Sequence, residues 1–158
     1  IIQNDKLNEQ VELLNKEVEA ANIGLIKTLY SDYNTAFIKN DFPRIASHFE
    51  APVNFASNGI IAEKEKDVVE RYEVMKATIQ EGYAYSITGD VAIKRQSENS
   101  YLLCADFTRI NKQKEVLFEG RAEYQWINVP DKGWKMNYLK GIDRGSNPNC
   151  ILDGNKPF

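Results

Sequence analysis

Leu7, Val11, Leu14, Val18, Ala21 and Leu25 follow one another at alternating spacings of four and three, the seam of an amphipathic helix. The stripe continues through Leu29, Tyr30, Tyr33 and Phe37 after a small rotation at Gly24, where a kink costs little. A helix unbroken from Leu7 to Asn40 is about 50 Å long at 1.5 Å per residue, so the pattern predicts either a break or a protruding arm. The heptads suit packing on the chain's own domain and pairing with a second chain equally well. Asp41 is placed to cap a short second helix, with Pro43 in its first turn and Phe42, Ile45 and Phe49 on one face, ending near Ala51-Pro52. Val53 to Ser57 reads as a short strand and Ser57-Asn58-Gly59 as a turn. A third helix is predicted from Glu63 to Glu81, with Val68, Tyr72, Met75 and Ile79 on its core stripe and Gly82 as its stop.

The period then changes from helical to alternating. Tyr83 to Gln96, Ser100 to Asn111, Glu115 to Asn128 and Trp134 to Asp143 read as four long strands joined by connections short enough for hairpins, hence an antiparallel meander. Gly89 inside the first of them suggests a bulge that bends the sheet. Alternation sorts the faces: Val116, Phe118, Gly120, Ala122, Tyr124 and Trp126 point one way, with Tyr101, Leu103, Ala105 and Phe107, and with Trp134, Met136 and Tyr138. Leu102, Cys104, Asp106, Thr108, Leu117, Glu119, Arg121, Glu123 and Gln125 point the other way, where exposed charge accounts for Asp106 and Arg121. Leu102, Leu117, Ile127 and Leu139 sit among charges on that outer face and suit a homodimer contact.

At 158 residues the chain is one domain in length, with 42% hydrophobic and 27% charged residues, ordinary globular values. No apolar run approaches the roughly 20 residues that cross a bilayer as a helix. Lys and Arg are scattered and the formal charge is -3, which argues against nucleic acid as a partner. One histidine (His48) and two distant cysteines (Cys104, Cys150) give no metal-ligand spacing, so no metal or other cofactor is expected. With only two cysteines, inert thiols are the expectation over a disulfide. His48 reads as a surface or capping residue, and Asp32 as lying at a pocket rim or in solvent. Organisation is expected as a helical extension over 1–24, a domain over 25–143 and a coil tail over 144–158. The chain starts Ile1-Ile2-Gln3 without methionine, which suggests a removed export signal and a periplasmic or secreted location, with the cytoplasm as the alternative.

Two stretches, Tyr30-Ser-Asp-Tyr33-Asn-Thr-Ala-Phe37-Ile-Lys-Asn40-Asp41-Phe42 with His48-Phe49-Glu-Ala-Pro52-Val53-Asn-Phe55, and Gly120-Arg-Ala122-Glu-Tyr124-Gln-Trp126 with Gly133-Trp134-Lys-Met136, resemble the nuclear transport factor 2-like superfamily. The resemblance covers about Leu25 to Asp143. It implies an α+β cone, three helices packed in a curved antiparallel sheet, in the cystatin-like fold shared by ketosteroid isomerase and the SnoaL-like cyclases. It further implies an apolar pocket for a small ring-containing molecule, bounded here by Tyr33, Phe37, Phe55, Tyr72, Met75, Phe107, Tyr124, Trp126, Met136 and Tyr138. Tyr33 stands where the isomerase keeps its oxyanion tyrosine, whereas its two acids fall at Ser57 and Ala122, which neither abstract nor donate that proton. The implied role is ligand binding, with lyase, cyclase or isomerase-type activity left open; the other class is a non-catalytic interaction or assembly domain acting as a dimer.

Overall fold

Long-range pairing of six strands organises the chain, whose computed structural model describes residues 2–144. The helices are α1 (Ile2–Ile38), α2 (Phe42–Ser47) and α3 (Glu65–Ala77); the strands are β1 (Phe49–Phe55), β2 (Ile60–Ala62), β3 (Tyr85–Ser97), β4 (Ser100–Ile110), β5 (Val116–Val129) and β6 (Gly133–Ile142). They form one curved sheet in the order β2-β1-β6-β5-β4-β3. Four long strands make the antiparallel meander, and the fold class is the expected α+β cone.

α1 does not break at Gly24. A Cβ there would meet nothing within 4 Å, and the Thr28 hydroxyl donates to the Gly24 carbonyl at 3.1 Å, so the helix crosses the glycine at a cost of about 1 kcal/mol in propensity. Residues 3–18 are exposed throughout, including Leu7, Val11, Leu14 and Val18, so the first half of α1 is a protruding arm about 30 Å long. The buried face starts at Ile26 and runs through Tyr30, Tyr33, Ala36 and Phe37. The helix stops in a Schellman turn: Asn40 takes φ 58°, its N–H donates to Phe37, and the Asp41 N–H donates to Ala36 at 2.9 Å. Asp41 then caps α2 by accepting from the Arg44 N–H at 3.3 Å.

Three elements differ from the sequence expectation. α2 ends at Ser47, not near Pro52, because the His48 carbonyl accepts the Met136 N–H at 2.7 Å and Phe49 pairs with Met136, which pulls the chain into a parallel β1–β6 ladder. Ile60–Ala62, unassigned by pattern, completes the sheet edge against β1. α3 ends at Ala77 instead of Glu81, where the Thr78 hydroxyl bonds back to the Val74 carbonyl at 2.9 Å. The expected bulge at Gly89 is present as a shift in the β3–β4 register between Thr88 and Val91. A second one was not anticipated: Gln125 pairs with Tyr138 while Trp126 pairs with Met136, so Asn137 is the extra residue in β6.

That bulge reverses side-chain parity in the second half of β6. Leu139 turns inward and is buried, and Tyr138 turns outward to the side of Glu123 and Gln125. The outer face is also less open than its pattern suggests. Leu102, Cys104 and Asp106 are buried there, and Asp106 is not a solvated charge: Arg121 grips it with Nε on Oδ1 and Nη2 on Oδ2 at 2.9 Å. Of the four side chains expected to serve a sheet-face dimer, Leu102 and Leu139 are thereby withdrawn. Cys104 is disulfide-bonded, which overturns the expectation of inert thiols; Cys150, the only other cysteine in the sequence, lies outside the described residues, as does the tail from residue 145.

Candidate functional site

A cavity of about 500 Å³ lies between α1, Met75 of α3 and the concave face of the sheet. The i, i+3, i+4 and i+7 spacing on α1 delivers Tyr30, Tyr33, Asn34 and Phe37 to one side of it. Strand parity delivers Phe107 and Arg109 from β4 and Phe118, Gly120, Ala122 and Tyr124 from β5 to the other. Gly120 is required by close approach, since a Cβ there would lie 2.4 Å from Phe107 Cζ and 2.6 Å from Phe118 Cε2. Ser57, Asn58, Thr88 and Asp143 are exposed and mark the mouth.

Of the ten residues proposed from sequence, Tyr33, Phe37, Phe55, Met75, Phe107 and Tyr124 line this cavity. Tyr72, Trp126 and Met136 are fully buried in the core behind it, and Tyr138 is on the opposite face of the sheet. Tyr30, Asn34 and Arg109 are lining residues that the sequence reading passed over. Arg109 shares the parity of Tyr101, Leu103, Ala105 and Phe107, and that alternation was the signal available.

The polar atoms of the inner wall form a chain. Tyr33 Oη and Tyr72 Oη are 2.6 Å apart and share a hydrogen bond, and the Tyr124 and Tyr30 hydroxyls lie within polar reach of Tyr33 and of each other. Burial pushes the phenols of Tyr33, Tyr72 and Tyr124 well above the ordinary tyrosine value, and that of Tyr30 upward too, so all four remain neutral hydrogen-bonding groups. Stacked or edge-on ring contacts at 5.2–6.0 Å between centroids join Tyr30, Tyr33, Tyr72 and Tyr124 into one unit.

The two positions that stand for the isomerase acids hold no acid in the cavity. Ser57 accepts the Gly141 N–H at 2.6 Å, tying β1 to β6, and Ala122 forms part of the floor. Among the described residues the one carboxylate that lines the cavity is Asp143, exposed at the mouth.

His48 takes the capping position that the sequence allowed, though buried and not at the surface, and Asp32 is half-buried outside the cavity. His48 is buried at the C-cap of α2, with Nε2 2.7 Å from Asp32 Oδ2, and Arg44 grips the same carboxylate at 2.7 and 2.8 Å. Hydrogen bonding from Arg44, with His48 assisting, holds the Asp32 carboxyl down at about 2. This cluster fastens α2 to α1 outside the cavity. Among the described residues no three His, Cys, Asp or Glu side chains are grouped to hold a metal ion.

The sequence profile of one family, described as NTF2-like protein (DUF6841), matches residues 19–139. The chain belongs to this family. The matched span starts inside α1 and ends inside β6, so it takes in the cavity walls and leaves most of the arm outside. Solved structures share the NTF2-like fold at low identity. A domain of unknown function with a cystatin-like fold from Nostoc punctiforme superposes with a TM-score of 0.66 at 14% identity, over 80% of this chain and 79% of that one. A superfamily protein from Salmonella enterica gives 0.62 at 14% identity, over 87% and 99%. A Novosphingobium aromaticivorans protein, whose assignment as a scytalone dehydratase is itself provisional, gives 0.63 at 15% identity, over 89% and 98%. No curated protein matches the chain. At such identities the likeness establishes the fold alone.

Proposed function

We propose that this NTF2-like domain binds a small, apolar, ring-containing molecule in the cavity between α1 and the sheet. The observation that carries this reading is the wall itself: phenylalanine and tyrosine rings around about 500 Å³, within the range of small-molecule sites, with hydroxyls converging from Tyr30, Tyr33 and Tyr124. Neutral phenols orient a bound ring through hydrogen bonds. They do not abstract protons at neutral pH, and among the described residues the inner wall has no carboxylate to do so, which favours binding over proton-transfer chemistry. 2-Naphthol titrated calorimetrically should bind saturably at one site per chain, and Ala122→Phe, which places a ring in the floor, should abolish that binding. Absence of saturable binding, or binding unaffected by Ala122→Phe, would refute the reading.

A second element of function is assembly, favoured by the arm. Leu7, Leu14 and Ala21 occupy one seam position and Val11, Val18 and Leu25 the other, and the first five exposed positions of this stripe that are large, Leu7, Val11, Leu14, Val18 and Leu25, are at least half exposed. Valine at a with leucine at d suits a parallel two-stranded coil, so we propose a homodimer joined through the arm.

A further inference from the structure

The cavity contains a cation that the proposed apolar ligand does not explain. Arg109 reaches it from β4 with its guanidinium Cζ 5.1 Å from the Phe107 ring centroid, 5.3 Å from Phe118 and 5.8 Å from Phe37. Nη1 donates to Gln80 Oε1 at 3.0 Å, which fixes the fork, while Nε is buried with no hydrogen-bond partner. The ion pairs among the described residues join Arg44 and His48 to Asp32, Arg121 to Asp106, Lys132 to Glu50 and Arg144 to Glu119; none reaches Arg109. Arg121 is the instructive contrast. It comes from the adjacent strand and is also partly buried, but on the opposite face, where Asp106 answers its charge with both oxygens.

Arg109 is therefore pinned, partly desolvated and, among the described residues, without a counter-charge. Burial lowers its pKa from the usual arginine value, the direction expected of an unanswered cation. Lys76 adds a second positive charge beside the same ring, with Nζ 4.2 Å from the Phe37 centroid and 4.3 Å from that of Tyr83. The Phe37 carbonyl at the C-terminal end of α1 accepts from Lys76 at 2.8 Å, which accounts for its position but brings no full negative charge.

We infer that Arg109 is the anion subsite of the cavity, and that the molecule bound there is a ring compound bearing a carboxylate. The planar fork with one arm held by Gln80 leaves the Nε edge for two parallel hydrogen bonds to a carboxylate, and Phe37, Phe107 and Phe118 hold the fork at the border of the apolar wall. The ligand would thus lie with its ring among the tyrosines and its charge at Arg109. This inference rests on the cavity being the binding site, and its test separates the two claims. 2-Naphthoate and 2-naphthamide, a charged and a neutral probe on the same ring, are titrated calorimetrically into the full chain and into Arg109→Gln. Naphthoate should bind about tenfold or more tighter than naphthamide to the unaltered protein. Arg109→Gln should remove that preference by weakening naphthoate while leaving naphthamide within about threefold. Equal affinities in the unaltered protein would overturn the anion subsite and leave the apolar cavity standing; this comparison needs no variant to fold. Binding of neither probe would overturn both.

Discussion

The Tyr33–Tyr72 pair permits a prediction in which the order of effects matters more than their size. Tyr72 is fully buried, and Tyr33 is its only hydrogen-bond partner among the described residues, at 2.6 Å. Tyr33 also has the Tyr124 hydroxyl within polar reach. Tyr33→Phe therefore removes the bond to Tyr72 and strands the fully buried Tyr72 hydroxyl, whereas Tyr72→Phe removes the same bond but leaves the Tyr33 hydroxyl beside that of Tyr124 at the cavity wall. A net hydrogen bond is worth about 0.5–1.5 kcal/mol and a stranded buried hydroxyl about 1–3 kcal/mol, so Tyr33→Phe should cost about 2–3 kcal/mol and Tyr72→Phe about 1 kcal/mol. In the double variant nothing is left stranded at position 72, so its cost should fall short of the sum by about 1 kcal/mol or more. In a chain of this length the single changes correspond to Tm losses of about 4–12 °C and about 2–4 °C. Denaturant unfolding followed by tryptophan emission suits the measurement because Trp126 and Trp134 are both buried. Equal or reversed costs for the two singles, or strict additivity in the double, would refute the asymmetry of the tyrosine chain.

Gly120→Ala should cost about 1–3 kcal/mol and weaken 2-naphthol binding, because its Cβ displaces the Phe107 and Phe118 rings from the cavity wall; unchanged melting and unchanged binding together would contradict this. Asp32 has a folded pKa of about 2 against an ordinary 3.8, so the unfolded chain takes up its proton first as the pH falls. Its contribution is full above about pH 4 and is lost between about pH 4 and 2, and Asp32→Asn should flatten that part of the acid stability curve. Removing residues 1–22 should convert a dimer of about twice 18.1 kDa into a monomer in light scattering while leaving the melting cooperative; a dimer that survives the deletion would exclude the arm as its basis.

Much of the fold was legible because strand alternation and helical stripes are local. β4 keeps its parity throughout and β5 keeps it from Phe118 onward, where the extra residue Leu117 has turned Val116 away from the inner face expected of it, and the cavity wall from Phe107 to Tyr124 follows from that alternation. The misplacements share a cause, the intervention of distant partners. The β1 start at Phe49 exists because β6 supplies a parallel neighbour, a pairing with no local signature. Tyr138 was misassigned because one extra residue, Asn137, reverses the pleat, and neither asparagine nor its flanks announce a bulge. The Asp32, Arg44 and His48 cluster spans two helices meeting at a Schellman turn, so its members look like scattered surface charge in the linear chain. Arg109 was legible by parity, yet an arginine on an apolar face is set aside by any reading that ranks pocket residues by hydrophobicity.

α1 links the two ends of the molecule in a way that neither end reveals alone. The rod that carries Leu7 and Leu14 at its tip carries Tyr30, Tyr33 and Phe37 at its base, and it passes Gly24 without a joint. Whatever grips the tip consequently sets the compass bearing of the cavity mouth, since no hinge lies between to absorb a rotation. In a pair joined along parallel arms, both mouths would face away from a shared axis at an angle written into the helix, one residue adding about 100° of azimuth. An insertion of two residues in the arm would then re-aim the mouths without touching a single side chain that lines them.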